Sequence, residues 1–297
     1  MRRRERRVMF QDWTIRTKLN HVSLTDAEMP LSASAFCCSC GGKFVNEIET
    51  FLTSIRAFHD NHIYMLTDKA GEKEINRVKE KYKFENITVF AEVDENYVSN
   101  VKKRAKRIKS HNGYWSVTWI YAKLDIFERA LAAEEKKRRE NEFKTPRGVL
   151  LLDSDIILCK EIDEKFDADL VLSAHSLTDP LRKSHNTYGF YNAGMILASY
   201  PSIARHWMKI FLEGGENTFY EQSILEDLTK KWVCDVFSEN HNFGKWRRED
   251  LAMSRRKVRS FHLHANEDEM YPEQPFNHKM AFNQADKNKE ICLSKVK

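Results

Sequence analysis

The sequence predicts an α/β protein, a single domain with a mostly parallel central sheet flanked by helices. Residues 34–68 alternate strand, glycine-bearing turn, helix and strand, which is the pattern of a β-α-β unit. Residues 148–158, GVLLLDSDIIL, contain a continuous apolar run that is typical of a parallel strand covered on both faces. We expect the domain to span residues 34–275, with an N-terminal extension at 1–33 and a C-terminal tail at 276–297.

Each element follows from the spacing of apolar residues. In the longest predicted helix, Tyr121, Leu124 and Phe127 fall on one face. Pro201 opens a later helix that Gly214 ends, in keeping with the preference for proline at helix starts and glycine beyond helix ends. The predicted strands are 34–40, 62–68, about 85–93, 148–158, 169–176, 190–199 and 257–266. The predicted helices are about 45–58, 71–82, 115–139, 202–213 and 218–231, and residues 102–109 form a loop or an exposed helix.

Composition narrows the class of protein. An apolar fraction of 41% in 297 residues is enough for a sizeable core, and no run approaches the roughly twenty apolar residues of a membrane span. The basic N-terminus is not followed by the apolar region of a signal peptide. Six cysteines in a chain of this length do not indicate a disulfide scaffold, so a reducing compartment is favoured. We therefore expect a soluble, cytoplasmic protein without a membrane span.

The net charge of +5 is modest, but basic residues bunch at 2–7, 102–109 and 136–139. This distribution favours a groove for phosphates over general coating of nucleic acid, and we expect no nucleic-acid partner. A nonenzymatic alternative is a basic RNA- or glycan-binding module, in which the middle cluster contacts phosphates while Tyr114 and Trp115 stack on bases or sugars.

Two aspartates follow the apolar run of residues 148–158. Burying an unpaired charge is costly, so Asp153 and Asp155 belong at the carboxyl end of the strand, where open α/β sheets bind ligands. Carboxylate oxygens suit Mg²⁺ or Mn²⁺, and an imidazole ligand would favour manganese. His262 and His264 on the last predicted strand point to one face, so their spacing does not choose between them.

Further polar residues accompany the aspartates in a fixed order. Asn192 and Gly194 stand at the start of an apolar strand, where they read either as a capping turn or as a polar amide beside a close backbone approach. Glu221 and Gln222 stand on a segment with amphipathic spacing, which alone would be an exposed polar face. Taken in sequence, these residues resemble the GT-A fold, a Rossmann-like fold of metal-dependent glycosyltransferases that use nucleotide sugars. The resemblance covers about residues 34–270.

The resemblance is to glycogenin-like enzymes and to the glycosyltransferase domain of collagen-modifying enzymes, and it implies roles for individual residues. LLLDSDIIL resembles the D-x-D strand, with Asp155 as direct metal ligand and Asp153 reaching the metal or the donor ribose. HLHAN resembles the late histidine ligand, and its H-x-N form favours His264 over His262. YNAGMILA resembles the N-A-G strand, whose asparagine, here Asn192, contacts the donor sugar.

The same resemblance implies the surroundings of the donor. YAKLDIFERA resembles the helix before the metal motif, from which Lys123 approaches the donor, and YEQSIL resembles the helix that lines the acceptor side with Glu221 and Gln222. The nucleotide, by default uridine, would lie near Ser39, Cys40 and Asp68. The implied activity is transfer of a hexosyl or pentosyl group from a UDP-sugar to a hydroxyl of a glycan or protein, with Mn²⁺ or Mg²⁺.

The sequence also departs from that pattern. The lysine-containing G-P-x-K-P-W tail of glycogenin-like retaining enzymes is replaced by EDEMYPEQP at 267–275, so a diphosphate contact must come from Lys123 or from residues 102–109. Glutamate at 221 replaces the commoner aspartate. For an inverting reaction, Glu221 is the leading candidate for the base that takes the acceptor proton, with Asp179 or Glu267 behind it.

Two other enzyme classes share part of the pattern. A phosphatase of the haloacid dehalogenase type also places D-x-D after an apolar strand, but its motif opens the domain, whereas a complete β-α-β unit precedes Asp153 here. A sugar nucleotidylyltransferase needs a glycine-rich basic loop after its first strand. The segment CGGKF at 40–44 matches this pattern weakly, with two glycines and one lysine.

Overall fold

The computed structural model describes residues 30–105, 108, 114–141, 147–175, 189–213, 221–238, 240–244, 258–263 and 275–296, with the side chains of 114–116 and 275–279 left out. Its strands are β1 (Ser32–Ser39), β2 (His62–Leu66), β3 (Ile87–Phe90), β4 (Arg147–Leu152), β5 (Ile156–Leu158), β6 (Leu170–Ala174), β7 (Tyr191–Ala198), β8 (Cys234–Val236) and β9 (Ser260–His262). Its helices are α1 (Glu47–Arg56), α2 (Lys69–Tyr82), α3 (Glu95–Arg104), α4 (Tyr114–Glu140), α5 (Pro201–Glu213), α6 (Leu225–Leu228) and α7 (Pro275–Ser294).

Seven strands form one sheet in the order β3-β2-β1-β4-β7-β6-β8. The pairs among β1, β2, β3 and β4 are parallel, as is the pair of β6 with β8, whereas β7 runs antiparallel to both of its neighbours. The prediction of an α/β fold with a mostly parallel central sheet is therefore confirmed. Because β7 is reversed, its first residues lie at the same edge of the sheet as the end of β4.

Alternate residues of the central strands supply two cores, one on each face of the sheet. In β4, Val149 and Leu151 pack with the core beneath α4 and α5, while Leu150 and Leu152 pack with the core beneath α1 and α2. All four side chains are buried. Burial on both faces explains why this strand is continuously apolar rather than alternating. It also explains why Asp153, the first charged residue after this apolar run, stands just beyond the end of the strand.

The structure differs from the predicted elements in several places: the predicted strand over 148–158 divides into β4 and β5, and β8 lies where no strand was predicted. Within 221–231 only Leu225–Leu228 is helical, and Glu221 lies in the turn before it, so the predicted helix over 218–231 is too long. Of the predicted last strand over 257–266 the structure describes residues 258–263, and within these Ser260–His262 forms β9. Residues 276–297, expected as a tail, lie mostly in α7, where Asn288 Nδ2 donates to the Leu158 carbonyl at 2.9 Å. No helix in the described part of the chain has the length and apolar character to cross a membrane.

Candidate active site

The two aspartates lie at the carboxyl end of β4, in a turn held by backbone hydrogen bonds. The amide of Asp153 donates to the Gly194 carbonyl at 2.8 Å, which continues the pairing of β4 with β7 by one residue. The amide of Ile156 then donates to the Asp153 carbonyl at 3.1 Å, closing the turn that leads into β5. The backbone therefore reverses between the two carboxylates and lets both face one point.

His262 reaches the aspartates because β9 pairs antiparallel with β5, with Ile156 opposite His262. The His262 Nε2 atom lies 3.1 Å from Asp155 Oδ1 and 3.7 Å from Asp153 Oδ2. Burial lowers the pKa of His262, but the Asp155 and Asp153 carboxylates raise it by more, so its pKa lies above the ordinary value. One ligand atom from each of these three residues lies within 4.8 Å of the other two, a spacing that can hold a metal ion.

The other histidine considered for this position, His264, lies outside the described residues. So do the two alternative bases, Asp179 and Glu267, and three basic residues of the cluster at 102–109, namely Lys106, Arg107 and Lys109. Their predicted roles stay predictions.

Lys123 links one aspartate to the segment that precedes α6. Its Nζ atom lies 2.7 Å from Asp153 Oδ1 and 2.9 Å from Glu221 Oε1, and its side chain is 8% exposed. Burial lowers the pKa of Lys123, but the carboxylates of Asp153 and Glu221 raise it by more, so the ammonium form is stabilised. Trp207 Nε1 donates to the Glu221 carbonyl at 2.9 Å, which fixes the backbone of this turn against α5. Gln222 follows in the same turn.

Asn192 is 5% exposed, and its side chain hydrogen-bonds within the protein. The Asn192 Oδ1 atom accepts from the Gly194 amide at 2.8 Å and from Asn242 Nδ2 at 2.8 Å. Asn242 Oδ1 in turn lies 2.8 Å from His262 Nδ1. Sequence reasoning missed Asn242, because it lies fifty residues from Asn192 in a stretch without regular structure.

Gly194 leaves room for this arrangement. A Cβ atom at position 194 would lie within 3.0 Å of both the His262 ring and the Asn192 side-chain oxygen. The close approach predicted for this glycine is thus to the imidazole.

Ser39, Cys40 and Asp68, predicted near the nucleotide, lie around the loop that leaves β1. Asp68 Oδ2 accepts from the Gly42 amide at 2.7 Å, and Asp68 Oδ1 accepts from the Gly71 amide at 2.8 Å, so this aspartate both caps α2 and holds the glycine loop. The Cys40 thiol donates to the Phe44 carbonyl at 3.1 Å, and burial raises its pKa well above the ordinary value. The Ser39 hydroxyl lies 3.5 Å from the Trp119 carbonyl.

Glu47, the first residue of α1, is a further acidic group beside the aspartates. The Ser154 hydroxyl, between Asp153 and Asp155, donates to Glu47 Oε2. Burial and the Asp155 charge raise the pKa of Glu47 to about 7. Sequence reasoning missed Glu47 because an acidic residue in the first turn of a helix is usually explained by its favourable interaction with the helix dipole.

Comparison with known proteins rests on solved structures, because the sequence matches no protein-family model and no curated protein. The glycosyltransferase GlyE of Streptococcus pneumoniae superposes with a TM-score of 0.53 at 13% identity, over 89% of this chain and 63% of GlyE. The bifunctional glycosyltransferase WbbM, in its apo structure, gives a TM-score of 0.51 at 13% identity, over 82% of this chain and 46% of WbbM. This chain therefore spans less than two thirds of the length of either protein. At this identity the likeness concerns the fold alone: the chain has the α/β fold of the glycosyltransferases GlyE and WbbM.

Proposed function

We propose that this protein is a metal-dependent glycosyltransferase that moves a sugar from a nucleoside-diphosphate donor, a UDP-sugar, to a hydroxyl of a glycan or protein. The observation that carries the proposal is the convergence of Asp153, Asp155 and His262 at the carboxyl edge of a sheet with a glycosyltransferase fold. The carboxyl edge of a mostly parallel sheet is where ligands of α/β proteins bind.

The donor atoms of these three residues fit Mn²⁺ or Mg²⁺. Two carboxylates and one imidazole nitrogen suit manganese, which accepts nitrogen ligands more readily than magnesium. The His262 ring presents Nε2 to the aspartates while Nδ1 faces Asn242, as in metal-bound histidines that hydrogen-bond through their second nitrogen. We therefore propose His262 as the nitrogen ligand. A metal at this position would supply positive charge to the leaving diphosphate.

Lys123 and Glu221 are proposed to shape the sugar side of the site. The Lys123 ammonium lies between Asp153 and Glu221 and forms an ion pair with each carboxylate. A carboxylate held in this way can accept a hydrogen bond from a sugar hydroxyl, and in an inverting reaction it would take the proton of the attacking acceptor hydroxyl. Gln222, in the same turn, is proposed to contact the acceptor.

The loop after β1 is proposed to take the nucleotide. Gly41 and Gly42 bring the backbone close to Trp119, and a Cβ atom at position 41 would lie within 3.0 Å of that ring. Asp68 holds this loop through the Gly42 amide. Asp68, Ser39 and Cys40 would therefore fix the shape of the loop that receives the base and ribose.

The test is a thermal-shift panel of nucleotide sugars with and without Mn²⁺, followed by turnover of the donor that stabilises most. A ligand that binds only the folded state raises apparent stability by mass action, so a UDP-sugar should raise the melting temperature when metal is present. Asp155→Ala should lose both the metal-dependent shift and turnover. Asp286→Ala, which removes an exposed carboxylate from α7, is the matched control and should keep both.

Two outcomes would contradict the proposal. If Asp155→Ala retains turnover, the carboxylate is not part of a required metal site. If simple phosphomonoesters are hydrolysed and no nucleotide sugar shifts the melting temperature, the protein is a phosphatase instead.

A further inference from the structure

A row of buried polar side chains runs from the start of β7 to the aspartates. In order, its members are His175, Asn192, Asn242 and His262, and each is 5% exposed or less. Buried polar groups of this kind specify a geometry when every member has a partner. The hydrogen bonds along the row determine how each asparagine amide is oriented and which histidine nitrogens carry a proton.

The backbone amide of Gly194 determines the orientation of the Asn192 side-chain amide. An N–H group can only donate, so the Asn192 atom 2.8 Å from it must be the amide oxygen. That oxygen also lies 2.8 Å from the Asn242 side chain, which must therefore present its NH₂ group. The opposite atom of Asn242 is then its oxygen, 2.8 Å from His262 Nδ1. Since that oxygen only accepts, Nδ1 of His262 must carry a proton.

The backbone carbonyl of Gly189 gives the same answer from the other end. It lies 3.0 Å from His175 Nδ1, so that nitrogen must donate, and a neutral His175 then has an acceptor at Nε2. The Asn192 nitrogen faces this acceptor at 3.4 Å. For a neutral His175, this end of the row therefore agrees with the orientation of Asn192 that the Gly194 amide requires.

We propose that Asn242, oriented by Asn192, is a positioning residue that keeps a proton on Nδ1 of His262 and turns Nε2 toward Asp153 and Asp155, so that Nε2 is the nitrogen that can exchange its proton for a metal ion. The metal-related part of this inference rests on the proposed function. A neutral imidazole can bind a metal only through an unprotonated nitrogen, so the tautomer decides whether His262 can act as a ligand. Asn192, whose oxygen already accepts two hydrogen bonds, then serves the site through Asn242.

The backbone around Asn242 is built to hold its amide in place. Asn242 has a φ of 51°, in the left-handed region that asparagine and glycine tolerate better than most residues. Its amide N–H donates to the Ser260 hydroxyl at 2.7 Å, and the His262 amide donates to the Phe243 carbonyl at 3.1 Å. The asparagine and the histidine are therefore tied together through the backbone of β9.

Two substitutions at position 242 distinguish the effect of the side-chain amide from the effect of the backbone conformation. Asn242→Gly removes the side chain while keeping a residue that adopts a positive φ without strain. Asn242→Asp keeps an acceptor for His262 Nδ1 and also tolerates this conformation, but it replaces the NH₂ group that donates to Asn192 Oδ1 with an oxygen. Asn242→Ala is a poorer choice because it would add backbone strain.

The first measurement needs neither metal nor substrate. In metal-free protein labelled with ¹⁵N-histidine, at neutral pH, the nitrogen shift of Nδ1 and the rate at which its proton exchanges with water report the hydrogen bond to Asn242, and His262→Gln identifies the signal. We expect a protonated and slowly exchanging Nδ1 in the wild type and in Asn242→Asp, and faster exchange in Asn242→Gly. An unprotonated Nδ1 in the wild type, or an unchanged exchange rate in a folded Asn242→Gly protein, would overturn the inference.

The second measurement is binding of Mn²⁺ alone, followed by electron paramagnetic resonance. Loss of an outer hydrogen-bond partner of a metal-bound histidine typically weakens metal binding about 10- to 100-fold, which we expect for Asn242→Gly, with Asn242→Asp restoring it in part. Equal affinities in the wild type and Asn242→Gly would overturn the positioning role toward metal. If the wild type shows a protonated and slowly exchanging Nδ1 but binds no Mn²⁺ with or without UDP, the proposed function fails while the orientation of His262 by Asn242 stands.

Discussion

Lys123 and Asp153 form an ion pair in which the lysine is almost fully buried, with Nζ 2.7 Å from Oδ1. The same ammonium contacts Glu221. The lysine therefore joins α4 to the turn after β4 and to the turn before α6, so three distant segments share one charge. The pair stabilises the folded protein and also sets the direction of the proposed ligand Asp153.

Replacing Lys123 with methionine should lower the free energy of unfolding by about 3 kcal/mol, because two partly buried carboxylates would lose their shared counter-charge. We place the loss at the low end of the range for buried pairs since the Asp153 side chain is 31% exposed. Urea unfolding at neutral pH measures the loss. Lys209→Met, at an exposed position of α5, is the control and should change stability by less than about 0.5 kcal/mol. Equal losses of unfolding free energy in the two variants would show that the buried ion pairs of Lys123 contribute no more to stability than an exposed lysine does.

Gly194→Ala should destabilise the protein by about 1–3 kcal/mol and displace the His262 ring, because the added methyl group would overlap the imidazole. The companion variant His262→Ala opens that space. In a double-mutant cycle, the cost of Gly194→Ala should therefore fall sharply once His262 is alanine. Additive effects in the cycle would mean that the overlap is relieved elsewhere.

Glu47→Gln should change how stability depends on pH in protein treated with chelator. The pKa of Glu47 in the folded protein is about 7, above its ordinary value of 4.5, so between these two values the folded state keeps this proton while the unfolded state loses it. Wild-type stability should consequently fall between about pH 4.5 and about pH 7, and Glu47→Gln should lack this fall. Urea unfolding across that window measures it. Glu95→Gln, the exposed first residue of α3, should retain the wild-type profile.

Glu134→Gln tests a buried ionic group at the opposite edge of the sheet. Burial raises the pKa of Glu134, but hydrogen bonds from Lys137, Arg147 and Tyr64 lower it by more, so its pKa lies below 4.5. Its contribution to stability is present above that value and is lost as the pH falls through the folded pKa. The stability gap between wild type and variant should be full at neutral pH and narrow in acid. Thermal shifts with Mn²⁺ should be the same in both proteins, and a loss of metal response would contradict this purely structural role.

The sequence predicted the central sheet well because its strands are marked by local composition. The run before Asp153 is apolar on both faces, and the helix after Pro201 has both a start signal and a stop signal. The predicted helix over 218–231 was wrong over 221–224. Tertiary contacts of Glu221 with Lys123 and Trp207 hold these residues as turns, and local spacing does not encode such contacts.

The candidate site was predicted in part for the same reason. Asp153 and Asp155 could be found because two charges after a buried strand conflict with burial. Asn242 and Glu47 carry no comparable local signal, since asparagine is common in irregular segments and glutamate is common at helix starts. Their partners, His262 and Ser154, lie 20 and 107 residues away, and only the folded chain brings them together.

The hydrogen bond from Asn288 in α7 to Leu158 in β5 bears on when the proposed metal site can be completed during synthesis of the chain. Strand β5 is the pairing partner of β9, which carries His262. During synthesis, the aspartates would emerge more than a hundred residues before the helix that braces the strand opposite their histidine. A nascent chain could thus complete the central sheet early and still lack a finished metal site until α7 has left the ribosome.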